Sequence, residues 1–201
     1  MHRLNPIELL SLYIFRHAET DWNAEGRLQG QLNTPISVTG QNQIKSISDK
    51  LKDREIDILY SSDLLRARQT VSPLASELMI PLFFDSRLRE VNLGEAQGML
   101  ISEIDAKFGE DTWTNWKSLE AKWEAVNFPN GERKKDVDLR ILSFLRNLFN
   151  TQNRNRIAIC THGYWIYRMF HLLESRSVEN ILNCEIYEIL IDKESLLKNR
   201  P

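Results

Sequence analysis

Short apolar runs recur along this chain, each breaking off into polar residues and most leading into a longer amphipathic stretch. Leu12-Tyr13-Ile14-Phe15 gives way to Arg16-His17, and Ile56–Tyr60 gives way to Ser61-Ser62-Asp63. Pro81–Phe84 follows, then Ile157–Cys160 ahead of Thr161-His162-Gly163, then Ile186–Ile191. Runs this short, bounded by polar residues, read as buried strands. Between them the apolar spacing changes to that of helices. Ser37–Leu51 carries Val38, Ile44, Ile47 and Leu51 on one face; Ser61 to about Met79 carries Leu64, Leu65, Val71 and Leu74. Val137, Ile141, Phe144, Leu145 and Leu148 mark another helix, and Tyr164–Leu173 a last one. Strands alternating with helices predict an α/β fold: a three-layer sandwich with a mostly parallel central sheet flanked by helices. Ser61, Ser62 and Asp63 are good N-caps for the second helix, and Pro73 inside it predicts a kink or break.

A chain of 201 residues is near the size of one domain and can bury a sizeable core without staples. With no repeat, low-complexity segment or linker, residues 1–201 read as a single domain. The stretch of about 94–126 reads as a small helical cap inserted into it. Leu100, Ile104 and Phe108 give one short helix; Trp113, Trp116, Leu119 and Trp123 give a second; the turn Phe128-Pro129-Asn130-Gly131 closes the excursion. The tail Lys193–Pro201 reads as loose.

The net charge of −2 gives no global attraction to nucleic acid or an anionic membrane, so neither is expected as a partner. An anionic substrate would have to be drawn by a local cluster. Glu8 interrupts the apolar start and no small-residue cleavage site follows, which argues against a signal peptide. No apolar run approaches bilayer length. Cys160 and Cys184 lie in apolar segments without zinc-site spacing and read as buried free thiols, which suits a cytoplasmic protein.

The chemistry sits at the strand ends. In a doubly wound sheet the carboxyl ends of parallel strands lie side by side. Arg16-His17, Arg66 in the first turn after Ser61-Ser62, and Thr161-His162-Gly163 can then converge. Guanidinium forks match phosphate oxygens, the N-terminus of the helix beginning near Ser62 would add N–H donors, and Asn23 can donate from the loop. A neutral imidazole is a competent nucleophile at phosphorus, and nearby guanidiniums keep it neutral.

Phe15-Arg16-His17-Ala18-Glu19-Thr20, Trp22-Asn23, Gly26-Arg27 and Gln29-Gly30 resemble the signature of the histidine phosphatase (phosphoglycerate mutase-like) superfamily. The resemblance continues in Tyr60–Leu64 with Arg66-Ala67 and Gln69-Thr70, in Leu88-Arg89-Glu90 with Gly94, in Pro129–Glu132 and in Thr161-His162-Gly163, spanning about residues 12 to 191. It implies that His17 becomes phosphohistidine. It implies too that Arg16, Arg66 and His162 stabilise the transferring group, and that Glu90 protonates the leaving oxygen and then activates water. By the same resemblance Asn23 and Gly163 belong to the phosphate site and Gln29 is a substrate-side contact. No metal and no cofactor are implied, since arginines and histidines supply the positive charge. Ala18 and Asn130 stand where the family commonly has Gly, and Asn33 where it commonly has Asp. Ala18 would deny that backbone a positive φ.

The expected function is therefore a metal-independent phosphomonoester hydrolase acting on a small phosphorylated metabolite. The alternatives are a cofactor-dependent phosphoglycerate mutase and a non-catalytic phosphate-binding module. Against the mutase stand a short stretch between Glu90 and His162, Val91 in place of the Arg that follows Glu in the family's mutases, and the absence of arginine from 94–126. The three cap tryptophans are expected to pack the cap onto the sheet, with one lining the leaving-group site as the minority reading. Arg133-Lys134-Lys135 is expected to be a solvated cluster, with contact to a second substrate anion as its alternative. His2 and His171 receive no role. A homodimer is compatible with the chain; the physiological substrate is not readable from it.

Overall fold

A computed structural model describes residues 9–151, 156–174, 180–192 and 196. Five strands, β1 (Leu9–Arg16), β2 (Ile58–Ser61), β3 (Leu82–Phe84), β4 (Arg156–Thr161) and β5 (Ile186–Asp192), form one sheet in the order β3-β2-β4-β1-β5. All neighbours are parallel except β5, which runs antiparallel along β1. The register sets Arg16 beside Thr161 and Ser61 beside Cys160. Three parallel strands therefore stop level with one another, and the residues that follow them meet.

The alternation of side chains along each strand sorts the apolar residues into two layers. Leu12, Ile14, Ile157 and Ile159 face helices α6 (Lys134–Thr151) and α7 (Gly163–Leu172) through Ile141, Leu145, Trp165 and Met169. Tyr13, Phe15, Ala158 and Cys160 face α2 (Val38–Lys52) and α3 (Leu65–Leu78) through Ile47, Leu51, Val71 and Leu74. Cys160 and Cys184 are buried and unbridged.

The end of β1 runs into a loop with one short helix, α1 (Asp21–Ala24), whose N-cap Thr20 and Asn23 form a reciprocal capping box. Ser37 caps α2 as its residue type predicts, accepting from Gly40 N. The next helix departs from expectation. It begins at Leu65, behind Leu64, with no side-chain cap. The expected caps serve other partners: of the N–H groups there Ser62 accepts only that of Leu64, the N-cap residue itself (3.3 Å), and it meets His162, while Asp63 pairs with Arg89. Nor does Pro73 break the helix, which continues to Leu78 with the proline ring at the exposed surface.

Residues 94–126 fold as short pieces: 3₁₀ turns at Gly94–Ala96, Ile101–Glu103 and Ala121–Trp123, with α4 (Ile104–Phe108) and α5 (Thr112–Lys117) between them. Gly94 has φ +53°, and a Cβ there would fall 2.0 Å from Pro129 O, so the excursion closes on the 128–131 turn only through glycine. Arg133-Lys134-Lys135 is not a uniformly solvated cluster. Arg133 and Lys135 are exposed, but Lys134 is buried and donates to the carbonyls of Ser118 (3.2 Å) and Trp123 (2.9 Å), tying the excursion to α6. Burial lowers its pKa. Among the described residues no helix is long and apolar enough to cross a membrane. Residues 1–8 and the tail from 193, apart from buried Leu196, lie outside the described residues, and with them His2 and the leader reading.

Candidate active site

The ends of β1, β2 and β4 meet at a cavity of about 530 Å³. Arg16, His17, Asn23, Gln29, Arg66, Glu90 and Gly163 all line it. His162 is fully buried behind Arg66 and touches the cavity only through that guanidinium.

His17 leaves β1 with its backbone N–H on Thr161 O (3.0 Å). Its Nδ1 lies 2.7 Å from the carbonyl of Ala18, which can only accept. The proton is therefore assigned to Nδ1, and the Nε2 lone pair turns toward Arg66, whose Nε donates at 3.1 Å. Burial, then the Arg66 and Arg16 guanidiniums, hold the imidazole well below its ordinary pKa. At neutral pH it carries a lone pair and no charge.

Arg66 is 1% exposed and makes four contacts from one fork. Nη1 donates to Leu32 O (2.9 Å); Nη2 donates to Gly30 O (2.7 Å) and His162 Nδ1 (3.1 Å); Nε serves His17. Burial lowers its pKa to about 10, so it stays charged at neutral pH. His162 accepts on Nδ1, so Nε2 carries the proton and donates to Ser62 Oγ (2.8 Å). Burial first and Arg66 second push its pKa well down. Arg16 anchors Nη1 on Ile181 O (2.9 Å), whereas its buried Nε has no partner among the described residues. A buried guanidinium donor without an acceptor is the mark of a site shaped for an anion. Gly163 leaves room for it: an added Cβ would sit 3.5 Å from that Nε.

Glu90 stands at the start of α7. Its Oε2 accepts from Tyr164 N (3.2 Å), a first-turn N–H with no intrahelical partner, and its Oε1 accepts from Val91 N (3.0 Å). The amide oxygens of Asn23 and Gln29 are taken, by Thr20 (3.1 Å) and by the Thr34 hydroxyl, so each presents its NH₂ to the cavity. The helix α3 adds Arg66 to the cavity but not the expected N-terminal N–H groups: Leu65 N is bonded to Asn33 Oδ1 (3.1 Å). Ala18 is buried without a positive φ, so the missing glycine costs no strain, whereas Asn130 does adopt φ +58°.

Three residues support the site; Thr70 and Ser62 lie in the blocks that carry the resemblance but without this role read for them, and Asn183 carried no sequence signal. Thr70 Oγ1 accepts from Ala18 N (2.9 Å), and Asn183 Nδ2 donates to His17 O (2.7 Å), pinning the turn on both sides. Ser62, expected as a helix cap, accepts from the Nε2–H of His162 as well as from the N–H of Leu64. Of the three cap tryptophans, Trp113 and Trp116 line the cavity while Trp116 also packs into the core; Trp123 does neither.

A mostly parallel sheet whose strand ends gather two neutral histidines, two guanidiniums and a carboxyl around one cavity suits the binding of a phosphate group. The chain belongs to the histidine phosphatase superfamily (branch 1), whose sequence profile it matches over residues 12–196. It is 33% identical over 161 residues to a protein named probable phosphoglycerate mutase GpmB from Shigella dysenteriae serotype 1 (strain Sd197), a match covering 77% of this chain and 70% of that one. Among solved structures it resembles a mycobacterial glucosyl-3-phosphoglycerate phosphatase in complex with VO₃ (TM-score 0.78, 26% identity, 90% of each chain). It is equally close to Bacillus stearothermophilus YhfR (TM-score 0.78, 26% identity, 92% of each chain).

Proposed function

We propose that this protein hydrolyses phosphomonoesters through a phosphohistidine on His17, without a metal ion. The observation that carries the reading is the fixed state of His17: Nδ1–H is committed to Ala18 O, and the Nε2 lone pair is presented at a cavity rimmed by Arg16 and Arg66. The phosphate of the substrate displaces the Arg66 contact and takes the guanidinium forks itself, with Asn23 contributing its NH₂. Nε2 attacks phosphorus, the bond from phosphorus to the ester oxygen breaks, and that oxygen leaves with a proton from Glu90. Glu90, now a carboxylate, takes a proton from water as the water attacks the phosphohistidine. The phosphorus–nitrogen bond breaks, inorganic phosphate leaves, and Glu90 is protonated again. His162 accepts from Arg66 on Nδ1 and so steadies the guanidinium.

A second reading is favoured by one observation, the mutase name of the curated relatives. In that reaction a second substrate hydroxyl, rather than water, would accept the phosphoryl group. Val91 after Glu90 and the arginine-free segment 94–126 support hydrolysis instead.

One rapid-quench experiment tests the proposal. Protein mixed with a ³²P-labelled monoester in EDTA should give an acid-labile phosphoenzyme and then inorganic phosphate, and His17→Ala should give neither. Label persisting in that variant moves the nucleophile elsewhere. Interconversion of 2- and 3-phosphoglycerate without phosphate release replaces hydrolysis by the mutase reaction.

A further inference from the structure

The floor of the cavity is charged, but its walls are aromatic and aliphatic. Trp113 and Trp116 stack at 5.3 Å with planes 17° apart, and Trp116 stacks in turn on Tyr164 at 4.5 Å and 27°. All three line the cavity, with Trp22 reaching it from the loop after β1. This stack begins at the carboxyl group. Tyr164 N is the donor that holds Glu90 Oε2, so the first ring of the wall belongs to the residue fixing the group that meets the leaving oxygen. Aliphatic surface from Val91, Leu93 and Ile101 continues the wall.

Polar groups line the cavity beside that wall as well: Arg27, Lys117, Asn180 and the Gln29 amide. Arg27 is held by Glu25 (2.9 Å) and Gly98 O (2.6 Å). The Tyr164 hydroxyl is itself buried and unpartnered among the described residues. Lys117 is exposed at the edge, its ammonium 5.4 Å from the centre of the Trp113 ring. A sugar would have to strip water from several hydroxyls against the aromatic rings with few partners to replace it. A planar ring loses little hydration there and gains edge-to-face or offset contact with the tryptophans.

Resting on the hydrolase reading above, we infer that the alcohol half of the substrate carries a planar aromatic or heteroaromatic ring, seated against Trp113 and Tyr164, with Trp116 (3% exposed) wedged between those two rings as their support. The phosphate lies on the arginine floor, the ester oxygen at Glu90, and the ring on the aromatic wall next to it. The cavity is sized for such a molecule: drug-sized ligands occupy sites of roughly 300–1,000 Å³, and this one is about 530 Å³.

The test compares esters whose alcohols leave with similar ease, so that ring chemistry alone differs. Benzyl phosphate, cyclohexylmethyl phosphate, glucose 6-phosphate and 3-phosphoglycerate are turned over under one condition. Benzyl phosphate should exceed cyclohexylmethyl phosphate in kcat/KM by about five- to tenfold, the range that aromatic contact supplies, and exceed the two hydrophilic esters by more. Trp113→Ala should bring the benzyl-to-cyclohexylmethyl ratio below about two, and Trp113→Phe should restore it. A ratio near one in the wild type, or a hydrophilic ester as best substrate, overturns the ring subsite while the turnover leaves the hydrolase reading standing. Benzylphosphonate and cyclohexylmethylphosphonate titrated by calorimetry read the same preference without turnover. No hydrolysis of any ester, with benzylphosphonate still bound preferentially, overturns the hydrolase and keeps the subsite. Equal binding of the two overturns the subsite.

Discussion

Arg66 Nε lies 3.1 Å from His17 Nε2, the one imidazole nitrogen left with a lone pair. On the proposed phosphohistidine route, that donor occupies the position an incoming phosphorus must take. The contact is temporary by construction. Phosphate oxygens are stronger acceptors for a guanidinium than a neutral nitrogen, so a bound phosphate draws the fork onto itself and frees Nε2. The carbonyls of Gly30 and Leu32 keep the guanidinium in place while it does so.

Arg66→Lys separates charge from fork. An ammonium keeps the positive sign but cannot bond Gly30 O, Leu32 O, His17 and His162 at once. We expect kcat/KM to fall about 10²- to 10³-fold, the usual cost of one transition-state donor. Stability should fall by only a few kcal/mol, from the unpaired carbonyls. Steady-state kinetics beside a urea titration checks both. Retention of kcat/KM within threefold would show that charge alone suffices.

The two histidines predict a pH dependence of stability. Unfolded, each titrates near about 6.5; folded, burial and the guanidiniums hold both lower. Between the two values the unfolded chain binds more protons than the folded one. Stability therefore rises with pH through that window and is lost as pH falls below about 6.5, by at most about 1.4 kcal/mol per pH unit for each histidine. Urea unfolding at pH 7.5, 6.5 and 5.5 should show the loss, and His162→Asn should remove about half of the slope. An unchanged slope in that variant would place the titration elsewhere.

Most of the frame was legible because it rests on local pattern. Short apolar runs bounded by polar residues and 3.6-residue spacing located the five strands and the four long helices, and strand ends carrying Arg16, His17 and His162 gave the site its address. What escaped was decided by competition between partners. Ser62 and Asp63 are good caps, but Ser62 is shared between a buried imidazole and Leu64 N just ahead of α3, and Asp63 is taken by an arginine. Lys134 reads as a solvated charge until two carbonyls from the excursion close over it. Asn183 and Thr70 hold the His17 turn from over 50 residues away, a distance across which no local signal reaches.

Glu90 can be tested by leaving group. Its carboxyl is fixed between Val91 N on Oε1 and Tyr164 N on Oε2, and a glutamine keeps the size and one of those two contacts through its single amide oxygen. It could not deliver a proton. Because kcat/KM covers only the steps through formation of phosphohistidine, water activation does not enter it. Glu90→Gln should lower kcat/KM for benzyl phosphate about 10²- to 10⁴-fold. For 4-nitrophenyl phosphate, whose anion leaves unaided, the loss should stay within tenfold. Equal losses on the two esters would remove the acid role and leave Glu90 a positioning residue.

Behind the aromatic wall, Arg168 joins three segments. Only 2% exposed, it donates to Asp138 on α6 and to Glu124 at the end of the excursion (2.9 and 3.2 Å), from its own place on α7. Removing the arginine alone strands a buried Asp138 carboxylate, so Arg168→Met should cost about 3–5 kcal/mol. Removing both charges should cost far less, because the double variant Arg168→Met with Asp138→Leu leaves no buried ion without a partner. A double-mutant cycle by urea unfolding reads the coupling. If the double variant regains most of the stability yet shows a raised KM for benzyl phosphate, Arg168 acts by holding Glu124 and with it the tryptophans of residues 112–117. If KM is unchanged, the pair serves the packing of α6 on α7 alone.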